Sequence, residues 1–372
     1  MVDRITSSSR YAQLVADMQM NQYNFNKLTA QLSSGNKITS ITDDPIATVN
    51  ILNTNKQLGQ IEIFEENVGL ASAELSALDD LLSLASGYLS KAWDKAIQAN
   101  NQTYNDSSLK ALQVEIDEIA KTIVDLANSE YNDNYIFSGA NTKTVPFTIE
   151  EDGSITYNGT PYANEDYIRQ TEVSDGVFEI INTTGDRVFG SYEKVQETND
   201  DGKKVFTDPN DNDRRVIETV DQATGLKTYA YEDDDSEYTG KPTDLEKVYT
   251  GEEKYSGVLG ALRMLSHGIE KVLGGEVQEG YDQMNASLDE FSNSLDTITT
   301  EQTKFGGIAN RLEMTTSTLE TNNENLTAYL SQTQDIDYAE AITQWMNAQY
   351  AYQASLQVSS ASMNMSLLNY IQ

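Results

Sequence analysis

Apolar residues recur along this chain at alternating steps of three and four, the spacing of helices that wind around one another. In the first such stretch Tyr11, Leu14, Met18, Phe25, Leu28 and Leu32 share one seam, broken only by Asn21. The segment SSGNK (33–37) stops the predicted helix, with Gly35 as its C-terminal cap. A second helix is predicted from TDDPIA, where Asp43 or Asp44 can cap and Pro45 fits the first turn. Its seam runs from Ile61 and Phe64 through Val68, Leu75, Leu82 and Leu89 to Ala99 without a polar residue, which predicts one helix from Asp44 to about Asn100. A third, capped by Asn105 or Asp106, carries Leu109, Leu112, Ile116, Ile119, Ile123 and Leu126.

The period changes near Asn141. From there to Tyr255 the chain is rich in Gly, Asp and Thr, and three hairpins are predicted. The first pairs Phe147 and Ile149 with Ile155 and Tyr157 across Asp152-Gly153. The second lies in VFEIINTTGDRVFG (177–190). The third lies in VIETVDQATGLKTYAYEDDD (216–235), turning near Gly225. The helical period resumes at Val258, Leu262, Leu265 and Ile269. A long seam then takes Met284, Leu288, Phe291, Leu295, Ile298, Gln302, Phe305, Ala309 and Leu312, and continues to Leu330. Gly306-Gly307 falls inside it, as a kink or a close helix contact. Asp335 or Asp337 can cap the last helix. The pattern predicts a mainly α protein: a long coiled-coil rod built from N- and C-terminal halves, with a β-rich domain inserted between them.

The last 32 residues, Ala341–Gln372, hold no Asp, Glu, Lys or Arg. They carry two apolar seams. Ile342, Trp345, Tyr352, Leu356 and Met363 lie on one; Met346, Tyr350, Val358, Met365 and Leu368 lie on the other. That is wider than one partner helix covers. The remaining Gln, Asn, Ser and Thr form hydrogen bonds without the desolvation cost of a charge. The expectation is a helix surrounded by protein, with the charge-poor first helix on one side and other subunits on the rest.

Composition narrows the chemistry. The 372 residues carry 59 acidic and 25 basic side chains, a net charge of −34, which argues against nucleic acid and anionic membrane surfaces as partners. There is no Cys and only one His, His267, so thiolate sites and His-based metal clusters are excluded. No stretch is long and apolar enough to span a membrane, and the N-terminus lacks a signal-peptide core. DPNDNDRR (208–215) departs from a calcium loop at the sixth position, Asp213, and at the twelfth, Thr219. Asn158 and Asn182 head N-x-T triplets, which imply surface at most. No cofactor, metal site or catalytic site is expected.

Three segments carry a family resemblance. LSSGNKITSITDDPIA (32–47), containing Ser34, Gly35, Asp43, Asp44 and Pro45, resembles the N-terminal signature of the bacterial flagellin superfamily. FGGIANRLE (305–313), containing Gly306, Gly307, Arg311 and Leu312, resembles its C-terminal signature. NDNYIFSGANTKTVPF (132–147), with Tyr135, Phe137 and Gly139, is closer to the hook–filament junction branch than to filament flagellins. Residues 190–255 match no pattern of the family.

The resemblance implies an inner coiled coil from residues 1–42 and 333–372, a helical rod domain from 43–140 and 256–332, and an outer β domain from 141–255. It implies export to the extracellular flagellum without a cleaved signal peptide. The implied partners are neighbouring copies in a ring, the adjacent hook-associated protein, flagellin, and an export chaperone in the cytosol. A filament flagellin is the alternative. An enzyme on a helical scaffold is the reading from another class; the insert has no His, which removes a zinc protease.

Overall fold

The computed structural model describes residues 7–101, 104–150, 152–163, 165–199, 201–211, 214–220, 227–233, 236–242 and 245–371, with the side chains of 7, 8, 10, 11, 165, 251 and 362–371 outside that description. The chain opens on three helices, α1 (Ser7–Ser34), α2 (Pro45–Ala99) and α3 (Asp106–Ala127). The strands β1 (Glu130–Tyr131), β2 (Asn134–Tyr135), β3 (Phe147–Ile149), β4 (Ile155–Tyr157), β5 (Gln170–Ser174) and β6 (Val177–Ile180) follow. A short helix α4 (Gly185–Val188) leads into β7 (Ser191–Gln196), β8 (Val205–Asp208), β9 (Arg214–Val220), β10 (Lys227–Tyr231), β11 (Glu246–Lys247) and β12 (Tyr249–Ser256). Three helices close the chain: α5 (Gly257–Gly274), α6 (Val277–Gln334) and α7 (Tyr338–Ile371). The fold is mainly α, with a β-rich region between two helical halves. It divides into two compact units, residues 1–66 with 315–372, and residues 67–314.

The predicted helix boundaries follow from local chemistry. Asp44 caps α2, its Oδ1 accepting the N–H groups of Ile46 and Ala47 at 3.0 Å each. Asn105 caps α3 by accepting from Ser108 at 2.9 Å. In the larger unit Val68, Leu75, Leu78, Leu82 and Leu89 of α2 are buried, as predicted. Each such large side chain contributes about 1.5–3 kcal/mol before entropy is subtracted. Leu109, Leu112, Ile116 and Ile123 are buried on α3, which packs against α5.

The seam of α6 keeps its predicted Met284, Phe291, Ile298, Phe305 and Leu312 and exchanges the positions between them. From Met284 to Leu312 the buried positions are Met284, Ser287, Phe291, Ser294, Ile298, Glu301, Phe305, Ile308 and Leu312, and Leu319 is buried further on. The sequence pattern prefers Leu288, Leu295, Gln302 and Ala309. Leu288, Leu295 and Gln302 are half-buried instead, and Ala309 is exposed. Small serines at the buried positions leave room for neighbouring elements to approach, and the larger leucines flank the contact. Gly306 and Gly307 are exposed within unbroken helix, and a Cβ at either would meet nothing within 4 Å. They form no close helix contact among the described residues.

The first hairpin forms in its predicted register, Phe147 opposite Tyr157 and Ile149 opposite Ile155. The second does not. β6 pairs backwards with β5, Gln170 opposite Ile180, while Gly185–Val188 turns helical. Asp175-Gly176 makes the turn, because Gly176 supplies the positive φ (70°). The third hairpin pairs β9 with β10, Val220 opposite Lys227; its turn, near Gly225, lies outside the described residues.

Two four-stranded antiparallel sheets result, ordered β12-β7-β4-β3 and β10-β9-β8-β11. The first rests on α5, with Tyr192 fully buried beside His267 and Arg263. The second has its own small core of Val216, Tyr238 and Leu245. His267 is structural: its Nδ1 lies 3.0 Å from the Tyr255 hydroxyl and 3.2 Å from a Glu253 oxygen. Asn182 is buried rather than surface-exposed; its amide donates to the Tyr167 carbonyl at 2.7 Å.

Candidate assembly surface

α1 and α7 pack together along their length. On α1 the covered positions are the predicted ones: Leu14, Met18, Asn21, Phe25, Leu28 and Leu32 are all half-buried. Phe25 anchors the pair, with its ring 5.7 Å from Trp345 and stacked at 6.0 Å on Tyr352. The Trp345 indole N–H donates to the Thr29 hydroxyl at 2.9 Å. The side chains of Tyr11, Met363, Met365 and Leu368 lie outside the described residues.

The side of α7 turned to α1 draws on only part of one predicted seam, Trp345 and Tyr352. Its covered positions are Ala341, Trp345, Ala348, Tyr352, Ser355 and Ser359, again in alternating steps of four and three. Ile342 and Leu356, which share a predicted seam with Trp345 and Tyr352, are 47% and 43% exposed. Small residues let the helices close up, and the bulkier aliphatic side chains turn outward. Met346, Tyr350 and Val358, the second predicted seam, are exposed too. Met20 and Tyr23 of α1 are likewise about 60% exposed. The outward side of α7 therefore keeps Ile342, Met346, Tyr350, Leu356 and Val358 open, with no charge from Ala341 onward.

The loop from α1 to α2 is tied down at several points, among them Lys37, which donates to the carbonyls of Gln334 and Gln332. Gly35, at φ 74°, ends α1, and its carbonyl accepts from Ile336 N–H at 2.9 Å. A Cβ there would meet the Tyr338 hydroxyl at 2.8 Å, a side-chain tip that can shift, so it is the positive φ of the turn that calls for glycine. The Ser34 hydroxyl accepts from Asn36 N–H at 3.2 Å.

Asp43 does not cap a helix. It pairs with Lys27 at 2.8 Å and accepts from the N–H groups of Thr39 and Ser40. The Lys27 bond is the main influence that lowers its pKa from 3.8 to about 2, with the two backbone N–H groups adding to it against the opposing effect of burial. A lowered acid pKa stabilises the fold above the unfolded value and loses that effect as pH falls through the folded one. The stability gap between wild type and Asp43→Asn, read by thermal melts, is expected to be full above pH 4 and to close as pH falls toward 2. A gap independent of pH would refute this role.

The other signature residues sit elsewhere. Tyr135 ends a tight hairpin whose turn residues Asn132 and Asp133 have φ of 50° and 60°. Phe137 is fully buried, edge-on to Phe189 at 4.9 Å. Gly139 lies so close to Thr160 that a Cβ would meet the Thr160 Cβ at 2.9 Å. Arg311 forks onto Glu179 of β6 with bonds of 2.9 and 2.5 Å, and Leu312 is buried. All of these residues lie in the larger unit.

Both helical halves match family models. Residues 5–142 match the bacterial flagellin N-terminal helical region, and residues 288–371 match the bacterial flagellin C-terminal helical region, together more than half of the chain. The chain belongs to the bacterial flagellin family. As a flagellin-family member it is a structural protein of the flagellum.

Among curated relatives, the flagellar hook-associated protein 3 of Salmonella typhimurium is 26% identical over 227 residues, 60% of this chain and 67% of that protein. A flagellin of Clostridium tyrobutyricum is 21% identical over 88% of this chain and 90% of its own length. A solved structure of flagellar hook-associated protein-3 from Legionella pneumophila shares the fold, with a TM-score of 0.54 at 21% identity, covering 76% of this chain and 98% of that one.

Proposed function

We propose that this flagellin-family chain is a hook–filament junction subunit, which assembles through the open face of its terminal helices. The observation that carries assembly is that face. Ile342, Met346, Tyr350, Leu356 and Val358 stay exposed on a helix without a charge from Ala341 onward, which is uncommon for a surface that stays in water. Neighbouring copies in a ring, an adjacent hook-associated protein and flagellin are the partners this reading supplies. An export chaperone would shield the same face in the cytosol, and export would proceed without a cleaved signal peptide. The junction assignment is supported by the NYIFSG segment and by the hook-associated relatives. A filament flagellin is the second reading, favoured by the longer span of the flagellin match.

Seeded assembly separates the two. The full-length chain is added to short filament fragments, and length is followed by electron microscopy. A junction subunit gives no propagation, or at most a single layer. Growth into long filaments would establish a filament flagellin.

The face itself is tested by a pair of variants. Leu356→Asp lies outside the α1–α7 seam and is expected to leave helicity and melting unchanged while blocking incorporation into flagella. Trp345→Asp removes the stacking on Phe25 and the Thr29 bond, and is expected to loosen the helix pair as well. Normal flagella from Leu356→Asp cells would refute the assembly surface.

A further inference from the structure

The insert holds a polar groove of about 530 Å³ between its two sheets, within the size range of small-molecule clefts. Lys194 of β7, Lys204 at the start of β8, Lys247 of β11 and Lys254 of β12 all line it. In a protein with 59 acidic and 25 basic residues, four lysines converging on one concavity run against the field of the whole molecule. Among the described residues Lys194, Lys204 and Lys254 form no ion pair, and Lys247 has only a long one, 3.9 Å to Glu150.

The same walls carry Glu150, Asp152 and Glu193. A compact trianion or a strongly acidic peptide would meet these carboxylates and be repelled. A ligand with one carboxylate and several hydroxyls per unit uses both kinds of lining, ammonium groups for the carboxylate and acids or amides for the hydroxyls. Gln196 and Thr198 add neutral hydrogen-bonding groups, and Tyr249 adds a ring face of the kind pyranoses pack against. Tyr249 is held in place by donating to Asp152, while Lys194 lies 6.0 Å over its ring.

We propose that this groove binds an acidic oligosaccharide of the uronic acid class. Its four lysines and Tyr249 come from residues 190–255, the part of the chain with no family pattern, while Glu150, Asp152 and Thr156 come from the β3–β4 hairpin, so the site belongs to the β-rich insert and is independent of assembly through the terminal helices.

The test is calorimetric titration of the full-length chain with trigalacturonate, with galactotriose and with inorganic phosphate, at low and physiological salt. Saturable binding of trigalacturonate is expected, weakening with salt, with none of the neutral trisaccharide. Lys204→Gln with Lys254→Gln is expected to weaken it by about tenfold or more through loss of charge-assisted bonds. Both side chains are exposed, so the melting temperature should stay unchanged. No saturable binding, equal binding of galactotriose, equal binding of phosphate, or an unaffected double variant would each overturn the proposal.

Discussion

Gly190→Ala is expected to disrupt the junction between the insert and α5, at a cost above about 4 kcal/mol. Gly190 has φ 69°, where an L side chain is strained by about 1–2 kcal/mol on its own. Steric overlap costs more than that strain. A Cβ at 190 would lie 1.8 Å from the Ser256 carbonyl oxygen and 2.3 Å from its carbon, which are backbone atoms that no rotamer change can move. Gly257 faces it from the other side, with a Cβ there 2.8 Å from the Gly190 nitrogen.

The chain entering β7 and the chain leaving β12 therefore cross with nothing but backbone between them. The Leu259 N–H donates to the Phe189 carbonyl at 2.9 Å across that crossing. Phe189 in turn packs edge-on to Phe137 and Phe147 at 4.9 and 6.1 Å. Forcing the strands apart would unseat this aromatic cluster. Gly202→Ala is the control: its φ is 76°, but a Cβ there meets nothing within 4 Å, so only the backbone strain applies. Thermal melting and protease resistance of the two variants measure the difference. If Gly190→Ala melts close to Gly202→Ala, the crossing does not have the role assigned to it.

Arg187→Ala is expected to cost about 3–5 kcal/mol, or a melting temperature lower by roughly 10 °C. Arg187 of α4 donates through Nε to Glu301 of α6 at 2.5 Å, while stacking on Tyr162 at 4.1 Å. Glu301 is 1% exposed, and among the described residues its second oxygen has only Lys304, at 3.7 Å. Truncating the arginine would leave a buried carboxylate without its main partner, which costs far more than the intact pair contributes. Arg187→Met combined with Glu301→Leu removes both charges and is expected to recover most of the loss. A double variant no more stable than Arg187→Ala would show that the arginine acts through packing on Tyr162 rather than by satisfying Glu301.

Glu301 also shows where pattern reading stops. By hydrophobicity it belongs on the solvent side of α6, and a partner more than a hundred residues away in sequence puts it in the core. The lysine groove is similar. Lys194 and Lys254 belong to strands that pair in the first sheet, while Lys204 and Lys247 come from the second, so no local motif marks them. Gly190 is one glycine among 22 in sequence, and only the crossing distinguishes it.

The sequence alone determined the helices, their caps and most of their buried faces. On α2 every predicted seam residue from Val68 to Ala99 is buried, because alternating steps of three and four in purely apolar residues permit only one inward face. The absence of charge from Ala341 onward was equally legible, since it needs only composition. Tertiary structure decided what composition leaves degenerate. On α6 and α7 two adjacent registers are both apolar enough, and the close approach of neighbouring elements chose the one with Ser287 and Ser294, or with Ala341, Ala348 and Ser355. That choice turned Ile342 and Leu356 outward. Hydrophobicity ranks faces, but packing at a given separation selects side-chain volume, and volume settled which apolar face of this chain is left open for assembly.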